Sequence, residues 1–168
     1  MEKKVLAFDF GASGGRAMCG TFDGEKITIE ELHRFSNDPV ILNGTMYWDV
    51  LRLFFEIKQG LIKAKKCGKI ESIGIDTWGV DFGLVDEAGR LLENPVHYRD
   101  SRTEGMLEES FKHIEKEKFY EITGNQFMEI NTAFQLLYLL KNRKDLLDRA
   151  DKMILMPDLF NYFLTGEK

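Results

Sequence analysis

The spacing of apolar residues divides this chain into alternating strand-like and helix-like stretches. Val5, Leu6, Ala7 and Phe8 form an unbroken apolar run, the pattern of a short strand buried on both faces, and the run ends at Asp9. A glycine-rich turn follows, then residues 17–22 resume as a strand. Asp23-Gly24 signals a hairpin turn, and residues 26–35 read as a third strand in which Ile27 and Ile29 alternate with polar neighbours. Residues 37–44, with Pro39, read as a loop. Asp49 is placed to cap a helix running to about Lys65, whose Val50, Leu53, Phe54, Ile57, Leu61 and Ile62 share one face and predict core packing.

Further along, Ile73 and Ile75 mark a buried strand that leads into Asp76-Thr77-Trp78-Gly79-Val80-Asp81. Residues 82–85, a turn at 86–89 and Leu91-Leu92 predict another hairpin, closed by residues 96–100. Ser101 or Thr103 caps a helix to about Ile114, with Glu104, Glu108, Glu109 and Lys112 as its solvated face. A short helix over 116–122 stops at Thr123-Gly124. Asn131-Thr132 caps a helix over 133–142, with Phe134, Leu137, Tyr138 and Leu140 inward. Residues 145–151 form a short polar helix or turn. Residues 152–156 are the last strand, and Pro157-Asp158 opens a final helix ended by Gly166. No repeat, low-complexity segment or linker interrupts the series, so it predicts one α/β domain.

Composition narrows the function classes. A length of 168 residues supports one core, and 43% hydrophobic with 30% charged residues is ordinary for a folded domain. The net charge of −5 gives no basic surplus for nucleic acid or an anionic membrane. No apolar run approaches the roughly 20 residues of a membrane span. The first strand follows Met1 almost at once, and the two cysteines, Cys19 and Cys67, lack metal-ligand spacing; free thiols and a cytoplasmic setting are expected.

Two stretches carry candidate chemistry. Gly11, Gly14 and Gly15 are expected to let the backbone take positive φ and approach a ligand, and successive N–H groups in such a turn can cradle an anion. Arg16 adds a positive charge beside them, and Asp9 at the strand end can hold Mg²⁺ through water. The loop lacks the Gly-Lys-Ser/Thr ending of a Walker A motif. A plain hairpin turn stays open beside the phosphate reading. Residues 76–81 leave a strand where α/β folds place ligands. Asp76 and Asp81 suit hydroxyl groups, Trp78 offers a flat apolar face to a sugar, and Gly79 permits close approach; a core Trp with solvated acids is the plainer alternative. His97 reads as a strand side chain, not as a base.

Three strands, a helix, a strand, then helices and a last strand is the order of the ribonuclease-H-like half of the actin-like ATPases. More specifically, the chain resembles the amino-terminal domain of the FGGY carbohydrate kinases. The resemblance spans essentially all 168 residues. It rests on Asp9-Phe10-Gly11-Ala12-Ser13-Gly14-Gly15-Arg16, on the segment from Gly74 to Phe82, on Tyr98-Arg99-Asp100-Ser101-Arg102-Thr103, and on Met156-Pro157-Asp158-Leu159 with Leu164-Thr165-Gly166. Most relatives carry Thr after the first glycine of the loop; Ala12-Ser13 departs from that and fits the branch acting on L-rhamnulose. The resemblance implies phosphorylation of L-rhamnulose at its 1-hydroxyl, with ATP as co-substrate and Mg²⁺. It implies Ala12, Ser13, Gly14, Gly15 and Arg16 as nucleotide contacts, Asp9 at the metal, and Gly79 at the sugar. Asp76, Trp78, Asp81 and Arg99 follow as further substrate contacts. Family members are roughly three times longer, so residues 1–168 correspond to an amino-terminal kinase domain. The general base and adenosine pocket are then expected outside this chain, with little or no turnover from it alone. Kinases for L-fuculose or D-xylulose, a sugar-independent actin-like ATPase or scaffold, and a binding domain completed by a partner chain are the alternatives.

Overall fold

The first hairpin sets the frame. In the computed structural model, which describes residues 2–168, β1 (Lys3–Phe10) pairs antiparallel with β2 (Gly14–Phe22), from Lys3 opposite Phe22 to Phe10 opposite Gly15. β3 (Ile27–Ser36) continues the sheet beyond β2. A small hairpin of β4 (Val40–Leu42) and β5 (Thr45–Tyr47) precedes α1 (Val50–Ala64). β6 (Ser72–Asp76) then returns parallel to β1, giving the sheet order β3-β2-β1-β6. β7 (Phe82–Val85) leads into short helices α2 (Met106–Ser110) and α3 (Lys116–Thr123), then α4 (Thr132–Asn142) and α5 (Lys144–Arg149). β8 (Lys152–Leu155) pairs antiparallel with β7, and α6 (Met156–Thr165) follows.

The core lies between one face of the sheet and helices α1 and α6. Leu6, Phe8 and Phe10 of β1 meet Leu53 and Ile57 of α1 and Phe160 of α6. Burial of each such side chain contributes roughly 1.5–3 kcal/mol. Gly60 lets α1 come close, because a Cβ there would stand 2.5 Å from Cε1 of Phe8. Asp49 caps α1 as expected, its carboxylate accepting from Arg52 N at 3.1 Å. The helix also buries Glu56, a position that reads as surface in sequence. Burial pushes its carboxyl up, but bonds from His33 (2.5 Å) and Arg52 (2.7 Å) outweigh this and leave it below its usual range.

Several expectations are corrected. β1 is not buried on both faces: Leu6 and Phe8 point into the core, while Val5 is 42% exposed on the uncovered face of the sheet. β6 is an edge strand, and Ile73 is largely exposed. The 37–44 loop holds the β4–β5 hairpin, turned by Asn43 and Gly44 at φ 51° and 83°, the Asn-Gly chemistry of a tight hairpin. The 82–92 hairpin is reduced to the Val85–Leu91 bridge, because β7 takes β8 as its partner. The helix over 101–114 breaks into a 3₁₀ turn at Ser101–Thr103 and α2, with Gly105 left-handed between them (φ 75°). On α1, Ile62 faces solvent, and on α4 the inward residue is Leu139 instead of Leu140.

Candidate functional site

Parallel pairing decides where the site lies. Asp9 of β1 stands opposite Asp76 of β6, so the turn after β1 and the segment after β6 leave the sheet side by side at one edge. Strand exits of this kind are where open α/β sheets take their ligands.

In the first turn, Gly11 N donates to Gly14 O at 2.8 Å, and Ala12 and Ser13 are exposed at the tip. Arg16 faces Asp9 across the hairpin and donates to its carboxylate at 2.5 Å, with both side chains about two-fifths exposed. The glycines serve differently from expectation, for none of Gly11, Gly14 and Gly15 has positive φ. Gly15 makes room for Phe35: a Cβ would fall 2.5 Å from its Cε2 and nearer still to Cζ. A Cβ on Gly14 would stand 3.0 Å from the Phe35 carbonyl oxygen. For Mg²⁺, Asp9 offers a hard, solvent-accessible carboxylate, a donor that ion accepts. No cluster of three or more His, Cys, Asp or Glu among the described residues could bind a metal. Asp9 therefore fits an ion shared with phosphate oxygens and water.

The second segment separates residues that the sequence groups together. Gly79 is exposed and lines a cavity of about 540 Å³ with Val80, Asn125, Gln126, Asn131 and Phe134. That volume lies within the usual range for small-molecule sites, roughly 300–1,000 Å³. Asp76, Trp78, Asp81 and Arg99 do not line it. Asp81 is wholly buried and fully engaged, which corrects the expectation that it touches substrate. One of its oxygens accepts from Trp48 Nε1 (2.5 Å), Trp78 Nε1 (3.0 Å) and Tyr98 N (3.1 Å), and the other from Gln135 Nε2 (2.8 Å). Burial pushes its carboxyl up against the pull of those donors. Trp78 turns one ring face to Trp48, with centroids 3.8 Å apart, so that face is closed to a sugar. Arg99 lies at the surface, its guanidinium 5.4 Å from the Tyr98 ring centre. Asp76 is exposed beside Asp9.

His97 stacks on the other neighbour side of this cluster, its ring centre 3.9 Å from that of Trp48. Burial, then the charge of Arg99, lowers its pKa to about 4, so it is neutral at pH 7 and unsuited to proton transfer. Asn125, Gln126 and Asn131 were missed in sequence, where polar residues after Thr123-Gly124 read as a turn. They reach Gly79 because α4 is bonded to the 79–81 segment: Thr132 Oγ1 donates to Val80 O at 2.8 Å, and Gln135 binds Asp81. The sequence signal for this was the uninterrupted helix from Thr132 carrying a polar Gln135 on its apolar side.

No helix among the described residues is long and apolar enough to cross a membrane. Comparison with known proteins adds the family. Residues 4–168 match the model of the FGGY family of carbohydrate kinases, N-terminal domain. The chain is 44% identical over 169 residues to a rhamnulokinase of Oceanobacillus iheyensis, covering 100% of this chain and 36% of that protein. It is 46% identical over 165 residues to a rhamnulokinase of Halalkalibacterium halodurans, covering 97% of this chain and 35% of that protein. It thus spans about a third of the length of the curated relatives it matches. Among solved structures, a gluconate kinase from Lactobacillus acidophilus superposes with a TM-score of 0.84 at 16% identity, over 99% of this chain and 34% of its own. A Plasmodium falciparum glycerol kinase with ADP gives 0.71 at 20% identity, over 96% and 33%. These structures share the ribonuclease-H-like fold expected from the element order. On the match across residues 4–168, this chain belongs to the FGGY family of carbohydrate kinases.

Proposed function

We propose that this chain supplies the phosphate loop and part of the sugar pocket of an ATP-dependent kinase for L-rhamnulose, yielding L-rhamnulose 1-phosphate and ADP. The observation that carries the reading is the 44% identity to a rhamnulokinase over the full length of the chain. The placement of the loop and of Gly79 at one sheet edge supports it. In the reaction, the 1-hydroxyl oxygen of the sugar attacks the γ-phosphorus and the bond to the β–γ bridging oxygen breaks. ADP departs and the hydroxyl proton passes to a base. Residues 12–16 hold the phosphates, Arg16 offsets their charge, and Asp9 helps hold Mg²⁺, which neutralises charge on the transferring group. Gly79 and the cavity seat the sugar; Asp76 and Arg99, both exposed, are secondary contacts. Trp78 and Asp81 act from behind, by fixing the segment that carries Gly79.

In this reading the general base and the adenosine pocket come from sequence beyond Lys168, and the setting is cytoplasmic. The test is ADP release from Mg-ATP against a panel of ketoses, for this chain and for the product of its complete gene. Release that requires L-rhamnulose in the complete product, with little or none from residues 1–168, is expected. Preference for L-fuculose or D-xylulose would reassign the substrate, and release without sugar would replace the kinase reading with an ATPase.

A further inference from the structure

Asn37 lies one residue beyond the end of β3 and 26 positions from the phosphate turn, yet it is bonded to that turn twice. Its side-chain Nδ2 donates to Gly11 O at 2.9 Å, and its backbone N donates to Ser13 O at 3.2 Å. The residue is only 2% exposed. A trans peptide holds its C=O and the following N–H on opposite sides. Anchoring the carbonyls of Gly11 and Ser13 on Asn37 therefore turns the N–H groups of Ala12 and Gly14 away from it. The N–H groups of Ala12 and Ser13 have no protein acceptor among the described residues. They sit at the exposed tip, beside Arg16. Nothing in the turn itself dictates this orientation, since no glycine in it uses a left-handed conformation. The third strand, ending in a buried amide, supplies the constraint.

We infer that Asn37 is the positioning residue of the phosphate loop, presenting the Ala12 and Ser13 amides to nucleotide phosphates without itself touching the ligand. This rests on the kinase reading for the identity of the anion. The test uses Asn37→Ala and Asn37→Asp in the product of the complete gene. Both keep the backbone bond to Ser13 O and lose the bond to Gly11 O; the aspartate also sets a carboxylate against that carbonyl. The KM for Mg-ATP is expected to rise about tenfold for the alanine variant and further for the aspartate, while the KM for the ketose stays within about twofold. A residue serving stability alone would lower the melting temperature and the active fraction and leave both KM values in place, and that result overturns the inference. Amide NMR of Ala12 and Ser13 on adding Mg-ADP separates the two claims. Shifts in the wild type that the alanine variant loses sustain the role of Asn37 even if no sugar is phosphorylated. Wild-type amides that do not move overturn it.

Discussion

Replacing Gly79 with alanine separates a ligand-facing glycine from a structural one. A Cβ at Gly79 would meet no atom within 4 Å, and its φ lies outside the left-handed region. The folded chain should accept the methyl group without strain. Lower freedom in the unfolded chain should then stabilise the protein by about 0.4–1 kcal/mol, if the change has any effect. The methyl would project at the wall of the cavity shared with Asn125, Gln126 and Asn131. Forcing a methyl group into a packed contact costs about 1–3 kcal/mol. At 1.4 kcal/mol per decade, the KM for L-rhamnulose should rise roughly 10- to 100-fold, with the KM for ATP unchanged. The assay pairs a thermal melt with coupled ADP release. An unchanged or raised melting temperature together with an unchanged ketose KM would refute the placement of the sugar at Gly79. A melting temperature lowered by several degrees would show that the open space is needed for folding.

Gly15→Ala should behave in the opposite way, because its Cβ would collide with the Phe35 ring; a loss of about 1–3 kcal/mol in urea denaturation is expected, and a neutral result would mean that the ring moves aside freely. Asp81→Ala strands the buried Trp48 N–H and leaves three other donors without their acceptor, so a loss of roughly 2–5 kcal/mol is expected; less than 1 kcal/mol would argue that water replaces the carboxylate. His97 carries a pH dependence. Its folded pKa of about 4 lies below the unfolded value, so between pH 6.5 and 4 the unfolded chain binds more protons and stability falls as pH falls. The contribution, present above pH 6.5 and lost on descending to pH 4, amounts to about 3 kcal/mol. His97→Phe should show a shallower decline across that window, and parallel curves for the two proteins would count against a neutral, buried imidazole.

Local chemistry made much of the architecture legible. The Asp23-Gly24 turn, the Asp49 cap and the Pro157 helix start all stand where their backbone preferences put them. Burial was harder to read, because an apolar run looks alike whether one face or two are covered; Val5 and Ile73 were misjudged for that reason. The phosphate turn was found by its glycines, although the reason for Gly15 is the distant Phe35. Asp81 reads as an acid at a strand exit, and only the tertiary convergence of Trp48, Tyr98 and Gln135 reveals it as an interior group. The same holds for Asn125 and Gln126, whose place opposite Gly79 depends on the docking of α4, a relation between segments about 50 positions apart.

The shared carboxylate also gives the molecule an optical property. Trp48 and Trp78 are its two tryptophans, and both indoles donate to Asp81 with ring centres 3.8 Å apart. At that separation their electronic transitions couple, so the near-ultraviolet circular dichroism should carry an exciton signal. All the indole absorption of the chain thus arises at one place, immediately behind Gly79, and the band acts as a built-in gauge of that wall.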